Sequence, residues 1–348
     1  MRDDKYWDEI SVNTMLMTEK QIIDYEKDLE NLYISLSADI EKEISYIYSK
    51  YGKNDKILYA DLRKRIQTSE LNKFKSILKS VLNTYDTNIV TKDFLSTTNK
   101  LSERKTITVL EYIQYMCQKY IMDMTIQNSK YIYELLYDVV LSAYCVYFYN
   151  YVNGIQKDIE FIPISDNDIQ QIVKNKWGTA TYLERLRDSS SKLYDNIQQT
   201  IPRYIAMGFN STSTTDGVNK LINSRYKYDI TVIRTTGDYM NNAAHKEVLY
   251  TIGIDSYRFV AILDNRTTEE CRKLNNTVYK LSNAKVGINF PPIHFNCRSS
   301  VAPVITPDVE KKLSELDNIS RKNTMKNWLN NNLPKNQIDI LKSIGKYY

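Results

Sequence analysis

The apolar residues in the first half of the chain recur at the period of a helix. From residue 25 to residue 47 their spacings of three and four define one stripe, formed by Tyr25, Leu29, Leu32, Leu36, Ile40, Ile44 and Ile47. Thr18 and Gln21 have the spacing of a capping box, which predicts a helix start near Thr18. Gly52 and Asn54 predict its end at about Tyr51. A helix this long favours a hairpin or bundle of helices.

The same periodicity predicts more helices before a domain boundary. They cover about 57–66, a segment from about Ser69 to Tyr85, and then 103–125 and 128–152. A turn signal at Asn153 and Gly154 begins a stretch that we interpret as the boundary.

The connecting region after this boundary is also predicted to be helical. Ser165 and Asp168 offer N-caps for a short helix that ends near Lys176. The next helix reaches Ile201, and Pro202 predicts a kink or a break in it.

The segment from Gly208 to Gly253 begins as a predicted loop. The Ser/Thr run 211–215 continues that loop and caps a short helix over 218–224. The β-branched block 229–236 fits a strand by propensity, but an apolar stripe through it favours a helix that ends at Gly253. His245 lies in this helix, where the sequence predicts a surface or interface residue.

The pattern changes to short strands near the C-terminus. Tyr257–Leu263 alternates as a strand does, and Asp264 begins a turn before a short helix, Glu269–Leu274, that Thr267 or Thr268 caps. Ser299–Ile305 is a second predicted strand that pairs with the first. Its prolines restrict it to a sheet edge.

These elements predict a mainly α fold, with a long helical N-terminal region and a small α+β C-terminal domain with a short sheet. The predicted domains are a helical domain over 1–152, a helical connecting region over 153–225, an α+β domain over 226–307 and a helical tail over 308–348.

Composition narrows the class of protein. Only 9 glycines and 7 prolines in 348 residues favour long helices over sandwiches and barrels. The 29 tyrosines suit partner contacts, although an AT-rich genome would enrich tyrosine without any functional reason. A net charge of +5 permits contact with DNA without arguing for it. The charged N-terminus resembles no signal peptide, and no apolar stretch reaches the ~18 residues of a membrane span.

Rare residues gather between Tyr257 and Ile305. This stretch holds two of the four cysteines, Cys271 and Cys297, and one of the two histidines, His294. With Asp264 as a fourth ligand, they form the ligand set of a tetrahedral zinc site, so zinc is the candidate cofactor. Pro291 and Pro292 would fix the entry angle of the loop that carries His294.

Two other interpretations of this cluster remain open. Cys271 and Cys297 could form a disulfide, which requires an environment outside a reducing cytosol. Alternatively, the residues form a compact hydrogen-bonded turn in which Asp264 and Arg266 pair or cap backbone groups, and we rank this interpretation first. A catalytic site ranks lowest, because Glu269 and Glu270 are the only nearby general bases. Cys117 and Cys145 are predicted to be buried helix residues.

The order of motifs resembles a known family. A strand is followed by Asp264, Arg266 and Thr267, then by Cys271, and then by Pro291, Pro292, His294, Cys297 and Arg298. This order resembles the C-terminal domain of phage minor head proteins of the Mu F-like family, also called phage head morphogenesis proteins. The resemblance covers about 165–305 and extends to upstream positions: Trp177, Arg185, Gly208, Arg234, Thr235, Asn242 and Ala243. The chain departs from the family at Ser299, where many members have a third cysteine, and at Thr236, where an acidic residue is common.

The resemblance implies a structural minor capsid protein of a tailed phage or prophage, and not an enzyme. Such proteins associate with the portal, help head assembly or accompany DNA at ejection. The implied partners are the portal and other capsid proteins, with DNA as a weak, non-specific partner. The implied location is the virion, at the capsid interior or portal vertex, and the host cytoplasm during assembly.

The main alternative is a zinc-dependent hydrolase or nuclease that uses Asp264, Cys271, His294 and Cys297. A DNA-binding module is a third hypothesis. It ranks lower because lysines and arginines alternate with acidic residues along most helices, as solvated faces do.

Overall fold

The computed structural model describes residues 2–85, 89–155 and 162–307, together with 309, 311, 330 and 335. The elements of this part are α1 (Asp4–Tyr51), α2 (Thr68–Thr84), α3 (Lys92–Glu103), α4 (Val109–Ile155), α5 (Asp166–Lys174), α6 (Tyr182–Ala206), α7 (Ser211–Thr251), β1 (Ser256–Val260), α8 (Glu269–Leu274), β2 (Val278–Lys280) and β3 (Ser300–Pro303). The predicted fold class, long helices followed by a small α+β region with a short sheet, is confirmed. The helical tail predicted for 308–348 lies largely outside the described residues.

Two compact units divide the chain. The first contains Met1–Tyr25, Ile132–Tyr182 and Thr231–Tyr348, and the second contains Glu26–Tyr131 and Leu183–Ile230. The four domain boundaries proposed from the sequence stay a prediction. None of the helices in the described part of the chain is long and apolar enough to cross a membrane.

Helix α1 ends where the sequence predicts, at Tyr51, but it begins 14 residues before Thr18, at Asp4. The prediction of a helix start at Thr18 was therefore wrong. Trp7 and Ile10 are buried, so the apolar face of the helix extends upstream of the apparent capping box. The Thr18 hydroxyl lies inside the helix and donates a hydrogen bond to Asn241 Oδ1 at 3.2 Å.

Three further helix predictions need correction, while α2 and the Ser165-capped α5 are confirmed. The segment 57–66 forms only a 3-10 turn, Tyr59–Arg63. The two helices predicted over 103–125 and 128–152 are one helix, α4, because no glycine or proline separates them. Helix α3, which the sequence pattern did not indicate, begins at the N-cap Thr91, whose side chain accepts from Phe94 N.

Helix α6 continues through Pro202 to Ala206, so of the predicted kink or break, the break does not occur. Proline lacks the N–H that would bond to the carbonyl four residues earlier. That carbonyl, of Gln198, instead accepts a hydrogen bond from Gln114 Nε2 at 3.2 Å. A side chain thus satisfies the acceptor that the proline leaves open.

The Ser/Thr run 211–215 is the first turn of α7 and not a loop. The Asn210 side chain caps this helix, since its Oδ1 accepts from Ser213 N at 2.9 Å. The helix then runs to Thr251, which confirms the helical interpretation of 229–236. Gly253 follows with φ of 75°, a left-handed conformation that suits glycine at a helix end.

The sheet has the strand order β2-β1-β3 with both pairings antiparallel. Tyr257 in β1 lies opposite Tyr279 in β2, and Phe259 lies opposite Val301 in β3. The pairing of the two predicted strands and the edge position of β3 are confirmed. Strand β2 was not predicted, because three residues are too few to establish a period.

The core of the first unit is aromatic. The Tyr147 ring stacks on His245 with centroids 3.7 Å apart, and Tyr151 packs edge-on against Trp7 at 5.2 Å. His245 is fully buried, so the prediction of a surface or interface residue was wrong. The amphipathic stripe did not reveal this burial, because the covering rings come from α4, about 95 residues away in sequence.

The second unit has its own aromatic core and a buried carboxylate. The Phe74 ring packs edge-on against Tyr115 at 5.3 Å, and Tyr115 stacks on Phe94 at 5.7 Å. Glu70 accepts hydrogen bonds from Tyr51 at 2.7 Å and from Gln67 N at 2.8 Å. These bonds hold the start of α2 in place.

Candidate functional site

The turn between β1 and α8 delivers the first residue of the site. Thr268 is the N-cap of α8, and its hydroxyl accepts from Cys271 N at 3.4 Å. Cys271 thereby lies in the first turn of the helix and faces the sheet, where it packs in an apolar cluster with Phe259 and Ala261.

The loop before β3 delivers His294 and Cys297. Cys297 N donates to His294 O at 3.2 Å, and Asn296 between them has a φ of 57°. This tight turn brings the two side chains to the same side. Pro291 and Pro292, which precede it, are buried and joined by a cis peptide bond.

Three of the four side chains that the sequence singled out as metal ligands come together. Cys271 Sγ lies 3.3 Å from His294 Nε2 and 3.8 Å from Cys297 Sγ. The ligand atoms of all three residues lie within 4.8 Å of one another. Both cysteines are free thiols and are buried, whereas His294 is partly exposed.

The two sulfur atoms have unequal proton affinities. The hydrogen bond from Cys297 lowers the pKa of Cys271, and the same bond raises the pKa of Cys297. The pair therefore favours a single thiolate, on Cys271, and the Cys297 thiol donates a hydrogen bond to it. A thiolate beside an imidazole nitrogen is the form in which cysteine binds metals and acts as a nucleophile.

Hydrogen bonds fix the imidazole of His294 at both nitrogens. Nδ1 lies 2.8 Å from the carbonyl oxygen of Phe295. A carbonyl can only accept, so Nδ1 carries the proton and Nε2 has the free lone pair. The Thr268 hydroxyl lies 2.9 Å from that Nε2 and can donate to it.

Asp264, the fourth residue of the predicted ligand set, has other partners. Arg298 Nη2 lies 2.7 Å from each of its carboxylate oxygens, and Arg266 N donates to Oδ1 at 2.9 Å. These bonds, with that from Arg298 the strongest, lower the pKa of Asp264 to about 2. Asp264 N also donates to the Thr267 hydroxyl at 2.9 Å, so Asp264 organises the turn.

Helix α7 holds the same loop from the other side. The Thr235 hydroxyl accepts from Asn296 N at 2.9 Å, and Asn242 Nδ2 donates to Ser299 O at 3.2 Å. Thr236, which departs from the family pattern, accepts from Trp177 Nε1 at 3.0 Å. The sequence singled out Trp177, Thr235, Thr236 and Asn242 only through the family resemblance, and in the structure each makes one of these hydrogen bonds.

A cleft of about 360 Å³ opens beside this loop. Its lining is formed by Met15, Leu16, Glu19, Ile22, Thr231, Arg234, Asp238, Ile262, Arg266, Thr268, His294, Phe295, Asn296 and Arg298. Sequence reasoning missed Asp238, which is buried and whose pKa burial raises well above its ordinary value. The sequence signal that could have identified Asp238 is its spacing of four residues from both Arg234 and Asn242, which places the three on one face of α7.

Glu269 and Glu270, the general bases that the sequence offered, do not line the cleft. Glu269 and Glu270 are both exposed, and Glu269 pairs with Lys273 at 3.7 Å. The arrangement offers two sulfur ligands and one nitrogen ligand, which suits a soft or borderline metal ion.

Comparison with known proteins identifies a family for part of the chain. Residues 195–302 match the family model described as Phage Mu protein F like protein. The matched region contains the whole of α7, β1, α8 and β2, all of β3 except Pro303, and the Cys271–His294–Cys297 cluster. No curated protein and no solved structure matches the chain. The resemblance identified from the sequence is thus confirmed for this region.

Proposed function

From the match of residues 195–302 to the phage Mu protein F like family, we propose that the chain is a structural minor protein of a phage head. The match is the observation that carries this proposal, because it includes the sheet up to Ala302 and the motif loop. The turn at Asp264 and the loop at His294 are held by backbone and side-chain hydrogen bonds, as a fold-defining segment would be. The location that follows is the virion.

The proposed partners are other capsid proteins, with the portal as the main one. The first unit exposes large apolar side chains within the matched region: Leu263 is 58% exposed, Val278 52%, Ile288 65% and Phe295 43%. Burying these apolar side chains against a protein partner would be favourable, because it removes their surface from water. DNA is proposed as a weak, non-specific partner, which a net charge of +5 permits.

Coexpression with the head proteins of a phage that carries this chain tests the proposal. We expect the chain to copurify with the portal and with assembled heads. A variant with serine at Leu263, Ile288 and Phe295 should reduce this recovery. A control variant with serine at Leu58 and Met207, which are 71% and 62% exposed in the second unit, should not.

Two results would contradict the proposal. Purified heads that contain none of the chain would exclude a structural role in the head. Heads that contain it at full yield without the portal would exclude the portal as its partner. Mass spectrometry of the proteins released with DNA then tests whether the chain is ejected.

A further inference from the structure

The geometry points to a zinc site in which Cys271, His294 and Cys297 are three ligands and the fourth coordination position faces solvent. This inference is independent of the proposed role in the head. It rests on the distances between ligand atoms, on the orientation of the imidazole and on the surroundings of the two sulfur atoms.

The distances agree with tetrahedral zinc. Zinc–sulfur bonds of ~2.3 Å and zinc–nitrogen bonds of ~2.0 Å place two sulfurs ~3.8 Å apart and a sulfur and a nitrogen ~3.5 Å apart. The two sulfurs here are 3.8 Å apart, and Cys271 Sγ lies 3.3 Å from His294 Nε2. A disulfide would instead bring the sulfurs to ~2.0 Å.

The imidazole of His294 has the orientation of a metal ligand. Its Nδ1–H donates to the Phe295 carbonyl at 2.8 Å, which leaves the Nε2 lone pair free, with Cys271 Sγ at 3.3 Å and the Thr268 hydroxyl at 2.9 Å. A carbonyl that accepts from the far nitrogen is the usual outer partner of a zinc-bound histidine, because it fixes both the tautomer and the ring.

The surroundings of the sulfurs would keep bulk water away from the two thiolate ligands. Cys271 and Cys297 are 2% and 1% exposed and pack against Phe259 and Ala261, with Leu274 beside them. The ligands come from two segments, the start of α8 and the loop before β3. A metal ion would therefore tie Cys271 to His294 and Cys297, which lie 23 and 26 residues further along the chain. Thiolate and imidazole ligands select zinc over magnesium or calcium.

The fourth position is assigned to water because the protein leaves it open. Asp264, the residue the sequence offered, is held by Arg298. Thr268, Cys271 and His294 all line a small depression that opens to solvent beside Arg266. Water reaching this depression completes a tetrahedron without another side chain.

Metal analysis of the full chain, made without a histidine tag and dialysed, tests the inference. We expect about one zinc per chain. Cobalt loaded in place of zinc should give the absorption of a tetrahedral thiolate complex, which a merely adsorbed ion does not give. A strong chelator should remove the zinc and lower the melting temperature of the unmodified protein.

Variants then identify the ligands. Cys271→Ser, His294→Asn and Cys297→Ser should each lower the zinc content at least tenfold. Asp264→Asn and the buried control Cys145→Ala should leave it unchanged. The cobalt spectrum and the change in melting temperature on chelation are both measured on the unmodified protein. They test the site even if a variant misfolds.

Three results would overturn the site. The first is metal-free protein with two reactive thiols that takes up neither zinc nor cobalt. The second is protein purified under reducing conditions in which Cys271 and Cys297 are joined by a disulfide, detected as a mass two hydrogens lower. The third is equal zinc content in the ligand variants and in Cys145→Ala.

Discussion

Mild acid should destabilise the first unit through one buried histidine. His245 is fully buried, and its Nε2 contacts the Tyr151 hydroxyl while Tyr147 stacks on its ring. Its Nδ1 has no hydrogen-bond partner in the part of the chain that the structure describes. Burial lowers the pKa of His245 well below its usual value, because the charged form cannot be solvated there.

The direction of this pH effect follows from the number of protons bound by the folded and unfolded chains. Below pH ~6.5 the unfolded chain protonates this imidazole and the folded protein does not, so stability falls as pH falls. Between pH 7.5 and pH 5.5 the free energy of unfolding should drop by about 1.4 kcal/mol, which is a tenfold change in the folded-to-unfolded ratio.

Comparison with His245→Leu isolates this contribution, because His294 and every carboxylate remain in both proteins. Urea unfolding at the two pH values, followed by tryptophan fluorescence, measures the difference. Trp7 reports on this region, since its ring lies 5.2 Å from that of Tyr151. We expect the unmodified protein to lose about 1.4 kcal/mol more than the variant.

Equal pH dependence in the two proteins would refute the reasoning, because it would mean that His245 can be protonated in the folded state. The double variant that combines His245→Leu with Tyr151→Phe is the matched control. It removes the hydroxyl that His245→Leu leaves buried without its partner, so it should be less destabilised at pH 7.5 than the sum of the single variants.

Three further predictions concern the motif region. Phe259→Ala should lower the free energy of unfolding by about 3–5 kcal/mol, measured by urea denaturation, because the ring is fully buried beside the cysteines. The Asp264 carboxyl should titrate at about pH 2 by NMR, so its pair with Arg298 persists above that pH and is lost as pH falls through it. Arg298→Gln should return the pKa of Asp264 towards ~3.9, and an unchanged pKa would show that Arg298 is not the cause of the shift. Asn242→Leu should cost about 1–3 kcal/mol by leaving Ser299 O unpaired, and an effect below ~0.5 kcal/mol would show that this bond is unimportant.

The sequence contained enough to identify the motif loop but not its contacts. Local spacing predicted Thr267 or Thr268 as a cap, the turn at Asp264 and the short helix with Cys271, since each depends on residues close in sequence, and the structure selects Thr268. The pairing of Asp264 with Arg298 joins residues 34 positions apart, and it decided which of the four proposed ligands lies outside the cysteine–histidine group. No periodic pattern carries that information.

The sequence by itself determined the long helices, the pairing of two short strands and the resemblance to a phage head family, because periodicity and motif order are local properties of the chain. Tertiary structure alone decided where α1 begins, how α6 passes Pro202 and that His245 is buried. The physical reason is the same in each case. Each depends on partners distant in sequence: Tyr151 beside Trp7 at the start of α1, Gln114 beside Gln198 in α6, and Tyr151 beside His245.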